Sequence, residues 1–333
     1  MTDVSWSRHR EEECIRLGGV APEANVRVRA GTAPVAGEMP PMAGRLLRDG
    51  DDTCFVPRFA FLDGTTYTVL VDGVAAAVLV RPRSEVAGTT EVIDIRPTAT
   101  EVPRNLLRLY VRFSDRMSEG QAADHIRLVD DGGEAMAGAL LPTEHELWDG
   151  DRRRLTVLLD PARIKRGLIG HREVGYPLRD GALFRLVVDE GFRDARGLSL
   201  RGGAERRYAV GGDERRRVDP ESWTLTVPPH ASSQPLAVAF DRPLDHGLLA
   251  RCLHVVGPDD RVVVGTPTIG GEERSWQFVP RHVWASGSHR LVVDAVLEDL
   301  AGNSLSRVFD RDLARPEDDP CEVREVAVAF RTR

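Results

Sequence analysis

The sequence predicts an all-β chain of tandem β-sandwiches, three units with the first abbreviated. Three observations carry that prediction. One pattern recurs at fixed offsets along the 333 residues. Its apolar residues alternate with the period of half-buried strands. Turn clusters separate those strands about every 8–12 residues.

The repeat comes first because self-similarity fixes architecture before any local detail. Phe113-Ser-Asp-Arg-Met matches Phe240-Asp-Arg-Pro-Leu at an offset of 127, and Ile126 with Leu253 and Gly138 with Gly265 keep it. Leu186-Val-Val-Asp189 then matches Leu291-Val-Val-Asp294 at 105, as does Arg193-Asp-Ala-Arg-Gly197 with Glu298-Asp-Leu-Ala-Gly302. The difference is a 22-residue insertion in the middle copy. A partial third copy has Phe55-Val-Pro-Arg58 repeated as Phe278-Val-Pro-Arg281 at 223, with Gly64 matching Gly287. The expected division is 1–19, an N-terminal segment read as flexible; 20–88, the abbreviated unit and linker; 89–212, a sandwich with the insertion; and 213–333, a second full sandwich.

Within a unit, Leu107, Leu109, Val111 and Phe113 fall on one face of a strand, while Arg108, Tyr110 and Arg112 fall on the other. Leu236–Phe240, Arg154–Leu159 and Leu183–Val188 are strand-like too. Asp130-Asp-Gly-Gly133, Gly257-Pro-Asp-Asp260 and Gly270-Gly271 mark turns. Helical pattern is confined to about one turn at 121–125 and its equivalent 248–252. The terminal run 320–330 is read as the last edge strand of the third unit, with completion of another unit as the alternative.

Val102-Pro-Arg-Asn, Val111-Arg-Phe-Ser-Asp-Arg-Met, Leu186-Val-Val-Asp and above all Asp299-Leu-Ala-Gly-Asn-Ser-Leu305 resemble the bacterial Ig-like domains of surface-layer and other envelope proteins. The resemblance covers about 90–310. It implies Ig-like sandwiches, a spacer, adhesive or accessory role, and an envelope or secreted location. Asp194, Gly197, Asp299, Gly302 and Asn303 are read as turn chemistry: Asx side chains accept nearby backbone N–H groups, and Gly or Asn takes positive φ. A calcium site using Asp259, Asp260, Asp318 and Asp319 lacks calcium-loop spacing.

Net charge is −7, and Lys165 is the only lysine among 45 basic residues. An acidic chain argues against nucleic-acid binding. The longest apolar run, Val74–Val80, is far below the about 20 residues that span a bilayer. The first 30 residues contain no apolar signal core, so the chain as written shows no export signal, against the location the resemblance implies. Cys14, Cys54, Cys252 and Cys321 form no C-x-x-C pair, so no metal site is expected. Their placement allows one disulfide within each terminal third, with free thiols as the alternative.

No cofactor motif, nucleophile elbow or zinc-protease motif occurs, so no catalytic residue is assigned. Glu144, His145 and Glu146 beside Trp148 are read as an exposed loop before a catalytic cluster. Trp148, Trp223, Trp276 and Trp284 are read as packing before a sugar platform. The candidate binding site is the insertion over 160–178, which carries Arg163, Lys165, Arg166, His171, Arg172 and Tyr176. It offers a basic surface to an acidic protein, a glycan or an anion; otherwise Pro161, Ile164 and Leu168 form a short helix over a sheet edge. The expected function is a non-catalytic structural or binding protein of the envelope. The alternatives are an accessory protein acting through the basic loop, then a hydrolase.

Overall fold

The computed structural model describes residues 3–10, 12–21, 23–31, 40–82, 88–142 and 145–332. The first sandwich contains β1 (Val4–His9), β2 (Glu12–Leu17), β3 (Val26–Ala30), β4 (Gly44–Asp49), β5 (Asp52–Pro57), β6 (Thr66–Val71) and β7 (Val74–Val80). Its sheets run β1-β2-β5-β4 and β3-β6-β7. Ile15, Leu17, Phe55, Phe61, Tyr67 and Val69 fill the space between them. Trp6 closes one side edge-on to Phe61, with ring centroids 4.8 Å apart.

The second sandwich contains β8 (Val92–Arg96), β9 (Glu101–Pro103), β10 (Arg108–Phe113), β11 (Ile126–Asp130), β12 (Leu147–Trp148), β13 (Arg154–Leu158), β14 (Leu183–Val188) and β15 (Ala204–Gly211). Helical turns α1 (Ala122–His125), α2 (Pro161–Ile164) and α3 (Ile169–Val174) lie between strands. The sheets run β12-β13-β10-β8 and β11-β14-β15-β9, with β9 parallel to β15. The third contains β16 (Thr224–Thr226), β17 (Leu236–Ala239), α4 (His246–Leu249), β18 (Leu253–Val256), β19 (Gly265–Ile269), β20 (Ser275–Pro280), β21 (Gly287–Asp294) and β22 (Glu325–Thr332). Its sheets run β16-β17-β20-β19 and β18-β21-β22.

In each sandwich the first, second, fifth and fourth strands of the shared pattern form one sheet, and the third, sixth and seventh form the other. That is the Ig-like Greek-key order. The expected alternation is visible in β10, where Leu109, Val111 and Phe113 are buried and Arg112 is exposed. Each sandwich has its own apolar cluster, and Leu300 of the third joins the cluster of the second.

Two expectations need correction. The N-terminal segment forms strands over 4–9 and 12–17: β1 and β2 pair with each other, and β2 pairs with β5. Their signal is faint because β1 offers the core only Val4 and Trp6. The first unit therefore has all seven strands of the shared pattern. No disulfide forms either, since all four cysteines are free. Cys252 is sealed in the third core, whereas Cys321 is exposed beside Arg217. The run 320–330 includes most of β22, which pairs with β21 at the edge of the third sandwich.

Candidate functional site

The insertion folds onto the protein. The Asp160 carboxylate accepts the Ala162 N–H at 2.9 Å, and Pro161 occupies the first turn of α2. Ile164 is buried in the second core, while Leu168 stays 45% exposed. Arg163 donates to three carbonyls: Gly138 at 2.8 Å, Tyr176 at 2.8 Å and Gly175 at 3.1 Å. His171 Nδ1 lies 2.6 Å from the Arg163 carbonyl, and its ring is edge-on to Tyr176. These contacts close the insertion on itself.

Its other side meets the third sandwich. Arg166 donates to Asp310 from its backbone N–H at 3.1 Å and from Nε at 2.9 Å. The Lys165 ammonium sits 4.4 Å from the centre of the Phe309 ring. The Tyr176 hydroxyl donates to Asp213 at 3.1 Å, and the Arg104 guanidinium lies over its ring. Arg215 bridges Asp213 and Asp310. Burial opposes ionisation of Asp213, yet Arg104 and Arg215 hold its carboxyl down at about 2. Five of the six expected binding residues are thus held in this strut. Arg166 is exposed as well but is bonded to Asp310, whereas exposed Arg172 lies outside these contacts, next to exposed Ile169 and Val174.

The same junction has a second anchor that the sequence reading missed. Glu273 of the third sandwich is fully buried. Its carboxylate accepts the Thr98 N–H at 2.6 Å, the Thr98 hydroxyl at 3.0 Å and the Ala99 N–H at 3.2 Å. Arg96 donates to it at 3.1 Å, and His246 Nδ1 lies 3.4 Å away. Burial alone raises such a carboxyl, but His246, Thr98 and Arg96 together lower it. Glu272 and Glu273 take φ of 59° and 53°, a left-handed conformation uncommon outside glycine. Contacts of Thr98 with the Glu272 N–H and of Thr100 with its carboxylate hold that turn. Only the preceding Gly270-Gly271 marks the turn in the sequence. Nearby, Tyr110 donates to Asp245, and Arg108 pairs with Asp245 and Glu298.

The repeated turns also sit at junctions. Asp194 Oδ1 accepts the Arg196 and Leu198 N–H groups at 2.9 and 3.1 Å. Asp299 Oδ1 accepts those of Ala301 and Asn303 at 2.9 and 3.0 Å. Gly197 and Gly302 take φ of 82° and 81°. A Cβ on Gly197 would meet the Phe61 carbonyl of the first sandwich at 3.0 Å; one on Gly302 would meet Leu107 of the second at 2.6 Å. Each turn therefore docks on the preceding sandwich. Arg193 adds a bond to the Asp63 carbonyl, and Leu107 donates to the Leu300 carbonyl at 2.9 Å. Asn303 donates to Asp299 and to the Glu214 carbonyl, and Arg242 pairs with Asp299.

The weaker candidate sites resolve into structure. Glu146 accepts the Ala122 N–H and the Trp148 indole N–H, His145 is exposed, and Glu144 lies outside the described residues. Trp223, Trp276 and Trp284 are buried. Asp318 accepts the Asp312 N–H, and Asp260 pairs with Arg290. A hollow of about 750 Å³ opens beside the insertion, lined in part by Arg163, Val174, Tyr176 and Arg179.

No protein-family model matches the chain, and no curated protein matches it in sequence. Among solved structures it is similar to native alpha-2-macroglobulin from Escherichia coli, at 10% identity, TM-score 0.26, over 74% of this chain and 72% of that one. A titin Ig tandem gives 10% identity and TM-score 0.21 over 74% of this chain and 97% of that one. The three chicken CNTN1 fibronectin domains give 9% and 0.21 over 99% and 98%. The Ig-like assignment rests on the strand order itself.

Proposed function

We propose that this chain is a non-catalytic structural and binding protein whose second and third sandwiches act as one stiff body. The buried Glu273 clamp carries this reading. A fully buried carboxylate met by two backbone N–H groups, a hydroxyl and a guanidinium is costly to separate, because every partner would need a substitute. Interfaces between domains of one chain are usually weaker and leave relative motion as the default. A stiff tandem suits a spacer that holds a binding surface at fixed distance. The resemblance of 90–310 to envelope Ig-like domains supports a cell-envelope setting with a protein or glycan partner.

The alternative accessory role keeps a specific observation in its favour. The insertion presents Arg172 with exposed Leu168, Ile169 and Val174 beside the adjacent hollow. That mixed surface suits a protein partner better than a free anion.

Fractionation of native cells, with the N-terminus of the recovered chain read by mass spectrometry, tests the setting. Recovery in the envelope or medium supports it. Recovery confined to the cytosol overturns the envelope assignment and directs the search to intracellular partners of 160–178.

A further inference from the structure

Four metal-ligating side chains converge on the outer face of the first sheet. His9 ends β1, Cys14 lies in β2, Asp49 ends β4 and Cys54 lies in β5. The register sets them along one diagonal: Ser7 opposes Cys14, Arg16 opposes Cys54, and Leu47 opposes Cys54 from the other side. Both cysteines are fully buried. The His9 side chain is 14% exposed and that of Asp49 is 50% exposed, so one side stays open to solvent.

Ligand atoms of His9, Asp49 and Cys54 all lie within 4.8 Å of one another. His9 Nδ1 is 3.7 Å from Asp49 Oδ2, and Cys54 Sγ is 3.9 Å from the same oxygen. The Cys14 thiol interacts with the Cys54 thiol and with Ser7. Zinc bonds of about 2.0 Å to nitrogen or oxygen and about 2.3 Å to sulfur put the corners of a tetrahedron about 3.3–3.8 Å apart. The His9–Asp49 and Cys54–Asp49 separations are already close to those edges, and Cys14 packs against Cys54 in the same small cluster.

We propose that His9, Cys14, Asp49 and Cys54 form a tetrahedral site for a thiophilic divalent cation of the zinc class. Two sulfurs and an imidazole disfavour calcium and magnesium, which take oxygen ligands. Binding exchanges the two thiol protons, released to water, for metal–sulfur bonds, with no change of oxidation state. Ser7 serves as an outer partner that orients Cys14. Ion pairs Arg45–Glu12 and Arg16–Asp52 flank the cluster on the same face. The cation would tie the β1–β2 hairpin to the β4–β5 hairpin. This serves the first sandwich, whose apolar core is smaller than those of its neighbours.

The test uses the full chain, reduced and stripped of metal, titrated with Co²⁺ as probe and then with Zn²⁺. The expected result is one equivalent of cobalt with a thiolate-to-cobalt charge-transfer band and tetrahedral visible bands, bleached by zinc. Cys14→Ser with Cys54→Ser abolishes the band, whereas Cys252→Ser with Cys321→Ser retains it. His9→Gln weakens cobalt binding by more than about tenfold. Alkylation of the unmutated chain read by mass spectrometry covers variants that fail to fold: zinc must slow modification of Cys14 and Cys54 but not of Cys321. Absence of the band in the reduced chain, its survival in the Cys14 and Cys54 variant, or a Cys14–Cys54 disulfide that forms despite excess zinc overturns the proposal.

Discussion

The Glu273 carboxylate of the third sandwich accepts the Thr98 backbone N–H of the second at 2.6 Å, although 175 residues separate them. Almost all of its partners belong to the second sandwich; His246 is the exception. The junction therefore satisfies a charge that neither sandwich could bury alone.

Removing that charge should be costly. Glu273→Ala leaves the Thr98 and Ala99 N–H groups without their acceptor and Arg96 with Asp94 alone, and about 3–5 kcal/mol of stability is expected to be lost. Denaturant unfolding followed by circular dichroism measures it. A loss below about 1 kcal/mol would show that the clamp contributes little.

The Asp299 turn makes a steric prediction. Gly302 has φ of 81°, and an added Cβ would fall 2.6 Å from Leu107 Cδ2. Gly302→Ala should cost about 1–3 kcal/mol through strain and clash. Gly212→Ala meets open space and should change stability by less than about 0.5 kcal/mol. Melting of the two variants side by side checks the contrast.

Asp299 also sets a pH dependence. Burial pushes its carboxyl up to about 7, while Asn303 and Arg242 favour the charged form. An unfolded aspartate ionises near about 4. Between those values the native chain holds a proton that the unfolded chain has lost. This group therefore makes stability fall as pH rises from about 4 to about 7, with no further change above. Asp299→Asn should flatten that part of the profile. Urea midpoints across this range decide it: a variant that keeps the native slope would place the effect elsewhere.

The insertion separates strut from surface. Arg163→Ala breaks three bonds to carbonyls and should destabilise by about 1.5–3 kcal/mol. Arg172→Ala should stay within about 0.5 kcal/mol. If partner binding depends on this surface, Arg172→Ala weakens capture while leaving the melting temperature unchanged.

Thiol access gives a simpler check. Cys321 is exposed, and Cys14, Cys54 and Cys252 are buried. Brief alkylation of the native, reduced chain should modify Cys321 and spare the others, as peptide mass spectrometry would show. Equal labelling of all four would mean that the cores open freely.

Much of the fold was legible because strand alternation is local. Leu109, Val111 and Phe113 announce β10, and the Asp194 and Asp299 turns announce themselves by residue type. The first two strands were not, because each offers the core only two residues, Val4 with Trp6 and Ile15 with Leu17, too few to show a period. The basic insertion was visible, but charge gives no hint that Arg166 faces Asp310 across 144 residues. Glu273 was hidden for the same reason. The cluster of His9, Cys14, Asp49 and Cys54 has no motif spacing because its members come from four strands.

The most direct measurement is hydrogen exchange by mass spectrometry, peptide by peptide, across a denaturant series on the full chain. A stiff second–third body requires β10, β14, β17 and β21 to lose protection together, and Glu273→Ala to split that transition into two. Separate transitions for the second and third sandwiches in the unmutated chain would contradict it.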